Sequence, residues 1–166
     1  MRALKIFLPI LFVACVGIFA ARAQNVSSPP IVAVQSASTT ALGGDVALPA
    51  ATTTTVLSKV VTMPSSGCPC RALVSQSLMT TNTSGTTIDS WISDGTNTMA
   101  SAQTWASGAG GPGCAASAFS PVTYANGAVI TFTFFANSGT AATAKATPGT
   151  GTGQGTWMQV AVMTSN

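Results

Sequence analysis

The stretch TVLSKVVTMPSSGCPCRALVSQSLMTT, Thr55–Thr81, decides the fold. Two apolar runs rich in β-branched residues flank the turn-forming Pro64-Ser65-Ser66-Gly67. Such runs suit a pleated, half-buried surface, and proline and glycine mark the reversal between them. The reading is strand, turn, strand: a β-hairpin at the start of an all-β domain, with Cys68-Pro69-Cys70 directly after the turn.

Around that stretch the 166-residue chain is nearly free of charge. It has six Lys+Arg, three acidic residues, all Asp, and no His. The N-terminus has the form of a secretory leader. Arg2 and Lys5 precede the apolar run Ile6–Ala20, and Ala21-Arg22-Ala23 fits a cleavage site before Gln24. The run is short for a membrane-spanning helix. Cleavage removes Arg2, Lys5 and Arg22, leaving Lys59, Arg71 and Lys145 against Asp45, Asp89 and Asp94, a formal balance of zero. No cationic surface then remains to neutralise phosphates, which argues against nucleic acid as a partner. A secreted, periplasmic or cell-surface location follows from the leader, with no membrane attachment once it is cut.

Residues 24–55 are low in complexity and read as an extended arm, with Ile31–Val34 and Val46–Leu48 as short strand candidates. The domain proper is expected over 56–166. Strands are predicted at Val56–Met63, Arg71–Thr80, Ile88–Ser93, Thr98–Ala106, Phe119–Tyr124, Val129–Ala136, Thr140–Thr147 and Trp157–Thr164. Asp94-Gly95 is a tight-turn signal between two of them. In Val129–Ala136, Ile130, Phe132 and Phe134 share one face and Thr131 and Thr133 the other. Ser107–Gly113 and Pro148–Gly155 are glycine-rich loops. About eight evenly spaced strands and no helical period outside the leader indicate a two-sheet antiparallel sandwich of jelly-roll type.

With no His or Glu, general acid–base chemistry would fall to three aspartates. Asp89 and Asp94 could form an acidic pair, or Asp94–Asn97 supply oxygens to calcium; the competing reading makes Asp94 a turn residue. No G-x-S-x-G elbow is present. The glycines at 149, 151, 153 and 155 precede a strand and not the helix a phosphate loop needs. The chain therefore reads as non-enzymatic, with no cofactor and no metal. Cys68, Cys70 and Cys114 remain after the leader. In extended backbone a bond between Cys68 and Cys70 is disfavoured. A bridge from Cys70 to Cys114 is one alternative and three free thiols the other. Trp91, Trp105 and Tyr124 are candidate ligand-binding aromatics, with Trp157 a further one. Trp91 and Trp105 flank the Asp94-Gly95 turn, so they could meet across strands, and outward rings would offer sugars a stacking platform. Core packing is the competing role for each. Asn25-Val26-Ser27 and Asn82-Thr83-Ser84 are glycosylation sequons.

Four stretches, Met63–Ser75 (MPSSGCPCRALVS), Trp91–Asn97 (WISDGTN), Phe119–Phe134 (FSPVTYANGAVITFTF) and the terminal MQVAVMTSN, resemble small virion or tail-associated β-sandwich proteins of tailed bacteriophages and prophages. The resemblance spans roughly Val56–Asn166. It implies a jelly-roll module in a homotrimeric tail fibre or virion appendage that attaches to a host receptor or decorates a particle. It carries over no catalytic residue. A cleaved leader departs from that family, whose members assemble in the cytoplasm; without cleavage the location implied is the virion surface. Two functions follow: a structural or receptor-binding surface module, and a secreted bacterial carbohydrate-binding domain using exposed tryptophans.

Overall fold

The computed structural model describes residues 33–81, 85–106, 113–147 and 155–164. The predicted leader, residues 24–32 of the arm, both sequons and most of the two glycine-rich loops lie outside these residues. Ten strands form: β1 (Ala33–Ala41), β2 (Val46–Leu48), β3 (Thr54–Thr62), β4 (Cys70–Thr81), β5 (Thr86–Ser93), β6 (Thr98–Ala106), β7 (Gly113–Phe119), β8 (Val129–Ser138), β9 (Ala142–Ala144) and β10 (Trp157–Thr164). The described residues contain no helix.

The strands make two antiparallel sheets. One is six-stranded, β1-β10-β4-β9-β2, with β7 also on β4; the other runs β3-β8-β5-β6. Setting aside the short β2 and β9, the pairs are nested. β5 pairs with β6, β4 with β7, β3 with β8, and β1 with β10. The chain is thus one long two-stranded ribbon, folded back at Asp94–Asn97 and rolled so that its quarters alternate between two sheets. That is jelly-roll topology. Each layer hides one face of its strands against the other, so alternate residues are apolar.

β4 supplies Ala72, Val74 and Leu78 to the core, and β10 supplies Met158, Val160 and Val162. Ile88, Ile92, Phe132 and Phe134 meet them from the opposite sheet. Removing each large side chain from water contributes about 1.5–3 kcal/mol. One polar pair crosses the core. Gln76 is buried on β4, and its Nε2 donates to Ser90 Oγ on β5 at 3.0 Å. Gln76 Oε1 has no partner. On β3 the residues facing inward include Lys59, opposite Phe132. β3 is an edge of its sheet, and an inward-leaning charge plus a bulge at Thr55–Leu57 discourage a foreign strand from pairing there.

Four expectations change. The hairpin at Thr55–Thr81 does not form: β3 and β4 lie in different sheets, and residues 63–69 carry the chain across from one to the other. Met63 N–H donates to Ala128 O and Gly127 N–H to Pro64 O, so the crossover is bonded to the β7–β8 connection. The domain begins near Ala33 and not at Val56, because β1 pairs with β10 and β2 with β9. Instead of Phe119–Tyr124, the strand before the Pro121 turn is β7, ending at Phe119; Tyr124 makes only an isolated bridge to Cys70. The weak strand predicted at Thr140–Thr147 is reduced to β9.

Gly155 has a steric role. A Cβ there would fall 2.0 Å from Ala146 O. Gly155→Ala is expected to lower stability by about 1–3 kcal/mol through this clash. Gln76→Met, which keeps volume and removes the unpaired Oε1, is expected to stay within about 1 kcal/mol, whereas Gln76→Ala should cost about 2 kcal/mol or more through the cavity. Chemical denaturation of the three variants checks both statements.

Candidate functional site

Alternation puts every second residue of β5 and β8, and of β6 on either side of a bulge, on the outer face of the four-stranded sheet. Trp91 lies opposite Phe135, and the two rings stack at 5.7 Å between centroids and 28° between planes. Beside them Asp89 is the partner of both Asn137 and Gln103, a polar row across three strands. Gln103 Nε2 donates to Asp89 Oδ1 at 2.6 Å. Beyond the row, Trp105 stands opposite Thr87 and is 65% exposed. The two tryptophans therefore share a face but do not meet. The neighbour of Trp91 is Phe135, supplied by β8.

β6 is bulged at this place. Ser90 pairs with Ala102 and Ile92 with Met99, so Trp91 faces two residues, Ala100 and Ser101. Ala100 takes φ 49°, a left-handed conformation that costs a residue with a Cβ about 1–2 kcal/mol. A cleft of about 410 Å³ lies over the bulge, lined by Asp89, Trp91, Thr98, Ser101 and Gln103 among others.

The third predicted aromatic is elsewhere. Tyr124 is buried; its ring meets Phe132 edge-on at 6.0 Å, and its hydroxyl donates to Asp94 Oδ2 at 2.8 Å. It belongs to the packing at the loop end of the sandwich and is not a surface platform. Asp94 does not pair with Asp89. Its Oδ1 accepts the N–H groups of Thr96 (2.9 Å) and Asn97 (2.6 Å), while Asn97 Nδ2 reaches Oδ2 at 3.1 Å. Gly95 follows at φ 93°. Partial burial works against the ionised carboxyl, but the Asn97 and Thr96 donors and the Tyr124 hydroxyl outweigh it and hold Asp94 below the usual carboxylate range. The same contact raises Tyr124: burial first, then the bond to Asp94 and its charge, disfavour the phenolate. The residues raised as a calcium loop are a turn that satisfies itself.

The cysteines also differ from expectation. Cys68 and Cys70 are bonded to each other, with Cα atoms 4.4 Å apart, and Cys114 is a free thiol. In extended backbone such a bond is disfavoured. Here the chain turns, with a cis Cys68–Pro69 peptide, and the Cα separation falls at the short end of disulfide geometry. Cys114 cannot bridge to Cys70, whose sulfur is already used. Cys114 sits opposite Leu78 on β7 and contacts Ile88 O at 3.7 Å. Burial pushes its thiol pKa up, so it lacks the thiolate character of a reactive cysteine. Around the bridge, Cys68 N–H donates to Asn126 Oδ1 at 2.8 Å, and Cys70 exchanges two backbone bonds with Tyr124. Among the described residues no group of three or more His, Cys, Asp or Glu could hold a metal ion.

Phe135, Gln103, Ser101 and Asn137 were not among the predicted site residues. A signal for Phe135 was present: it falls on the face shared by Thr131 and Thr133, out of step with Phe132 and Phe134. The bulge at Ala100 has no such signal, because alanine seldom takes positive φ. No protein-family model matches this sequence, and no curated protein matches it.

Two measurements test this geometry. Non-reducing peptide mapping is expected to give a Cys68–Cys70 peptide lighter by two hydrogens, with Cys114 alkylated only after unfolding; a Cys70–Cys114 cross-link would contradict it. Asp94→Ala is expected to lower stability at neutral pH by about 1–2 kcal/mol. A depressed folded-state pKa stabilises above the ordinary carboxyl value of about 3.9, and the gain is lost as pH falls through the lower folded value. Thermal melts of wild type and Asp94→Ala should therefore converge in strong acid. For Tyr124 the sign is opposite: its contribution holds below about pH 10 and is lost as pH rises through the raised folded value.

Proposed function

We propose that this protein is a non-enzymatic structural or receptor-binding surface module, comparable to the jelly rolls of phage virions and tail fibres, and that it works as a homo-oligomer, a trimer by preference. One observation carries the reading. The outer face of the β3-β8-β5-β6 sheet is apolar and hydroxylated: Val60 is 57% exposed and Val129 64%, close together on β3 and β8 among threonines. Among the described residues, Asp89 is the charged side chain on that face. A surface of this kind is poorly kept apart by charge repulsion and is suited to burial against another copy. The acids support the same reading, since Asp94 is occupied by a turn and Asp45 by Lys145 and the Ala146 N–H.

The leader-like N-terminus supports delivery to the periplasm, cell surface or exterior. The alternative, a carbohydrate-binding domain, is favoured by a different part of the same face, the aromatic cleft over the β6 bulge. The two readings are compatible: the β3–β8 half faces neighbouring copies and the β5–β6 half faces a ligand.

Size-exclusion chromatography with light scattering is expected to give a trimer for the wild type. Val60→Lys combined with Val129→Lys should give monomers with an unchanged circular dichroism spectrum. A monomeric wild type would overturn the oligomeric reading.

A further inference from the structure

We infer that the cleft over the β6 bulge binds a linear, neutral oligosaccharide lying along the strands from Trp91 to Trp105. The inference rests on the surface-module reading and names the class of ligand its exposed face takes.

Four features meet here. First, Trp91 is braced. Phe135 stacks on the indole, and Trp91 also lines the cleft, so the ring is braced before a ligand arrives. An immobilised aromatic face is what the C–H surface of a pyranose packs on, with little side-chain entropy left to lose. Second, Trp105 is left in solvent on the same face. It lies opposite Thr87, four residues along β5 from Trp91. At about 3.3 Å rise per residue, the two indoles are offset by ~13 Å along the strands. That separation exceeds one sugar ring and matches a chain of several. Third, the Asp89–Gln103 pair sits between the two rings, with Asn137 in the same row. Gln103 occupies one carboxylate oxygen. Asp89 Oδ2 and the Gln103 carbonyl remain as acceptors, pre-aligned for hydroxyl groups. Fourth, the backbone is strained where the cleft opens, at Ala100 with φ 49°. Bulges and positive-φ residues that the fold must overcome gather where a surface is shaped for use.

Charge selects among ligands. The face offers a carboxylate and no facing cation on β5, β6 or β8, so polyanions, including nucleic acids and sulfated or uronic polysaccharides, are repelled. The cleft is too open to enclose a lipid chain. An extended peptide would pair with the β6 edge backbone, which the bulge interrupts. A neutral glycan meets each feature: ring faces on the indoles, hydroxyls on Asp89, Gln103 and Ser101.

The test uses neutral cello-, malto- and chito-oligosaccharides of graded length, titrated into the full oligomer with tryptophan fluorescence and calorimetry. In at least one series, affinity is expected to rise with length until both indoles are spanned. Trp105→Ala, at an exposed position that leaves the core intact, should remove that length dependence and weaken the longest ligand tenfold or more. Asp89→Ala should weaken every length alike. The Val60→Lys, Val129→Lys variant should keep its affinity for the shortest ligands. Absence of binding in all three series, or binding that Trp105→Ala leaves unchanged, would overturn the inference. Neither result touches the oligomeric reading, which stands or falls on the light-scattering mass.

Discussion

The Asp94 carboxylate closes the β5–β6 turn with its Oδ1 and receives the Tyr124 hydroxyl with its Oδ2. One side chain thereby joins the tip of the ribbon to the β7–β8 connection. Tyr124 in turn brackets Cys70 through two backbone bonds, and Asn126 holds the Cys68 N–H. Three chain reversals at one end of the sandwich are tied into a single unit. The turn also sets the register of β5 on β6. A slip of one residue there would send Ile88 and Ile92 to solvent and bury Asp89 and Trp91. Because the strand pairs are nested, each further pair is brought together by the one before it.

Function is assigned by which side of the pleat a residue takes. Inward residues of β5 and β8 fill the core, while their outward neighbours make the Trp91–Phe135 stack and the Asp89 row. The six-stranded sheet backs the four-stranded one, and the Gln76–Ser90 bond links one to the other through the core. At the β6 bulge the register of the edge strand against β5 shifts, and a cleft lies over it. A flat sheet would offer the same side chains without a recess.

Much of the fold is legible in the sequence because alternation is strong where strands are central. Val129–Ala136 and Trp157–Thr164 show it plainly, and Asp94-Gly95 announces its turn. Legibility fails where the signal is common to two structures. Strand, Pro-Ser-Ser-Gly, strand describes a hairpin and an inter-sheet crossover equally well, and hydrogen-bond partners far along the chain decide between them. β1 is hidden for another reason: AVQSASTTA has small side chains and hardly any apolar contrast, so its place comes from pairing with β10. The disulfide escaped because its geometry depends on a turned backbone at Cys68–Cys70 that residue spacing does not encode. Of the site, the two tryptophans were readable as types. Their partners were not, since Phe135 and Gln103 reach them across strands.

The chain is a single ribbon folded at Asp94–Asn97, with β3 and β4 in separate sheets. Backbone NOEs in isotopically labelled protein test it most directly. Cross-strand contacts of Val74 with Val160 and Ala118, and of Lys59 with Phe132, are expected, with no ladder between Thr54–Thr62 and Cys70–Thr81. A continuous ladder of contacts between those two strands would contradict it.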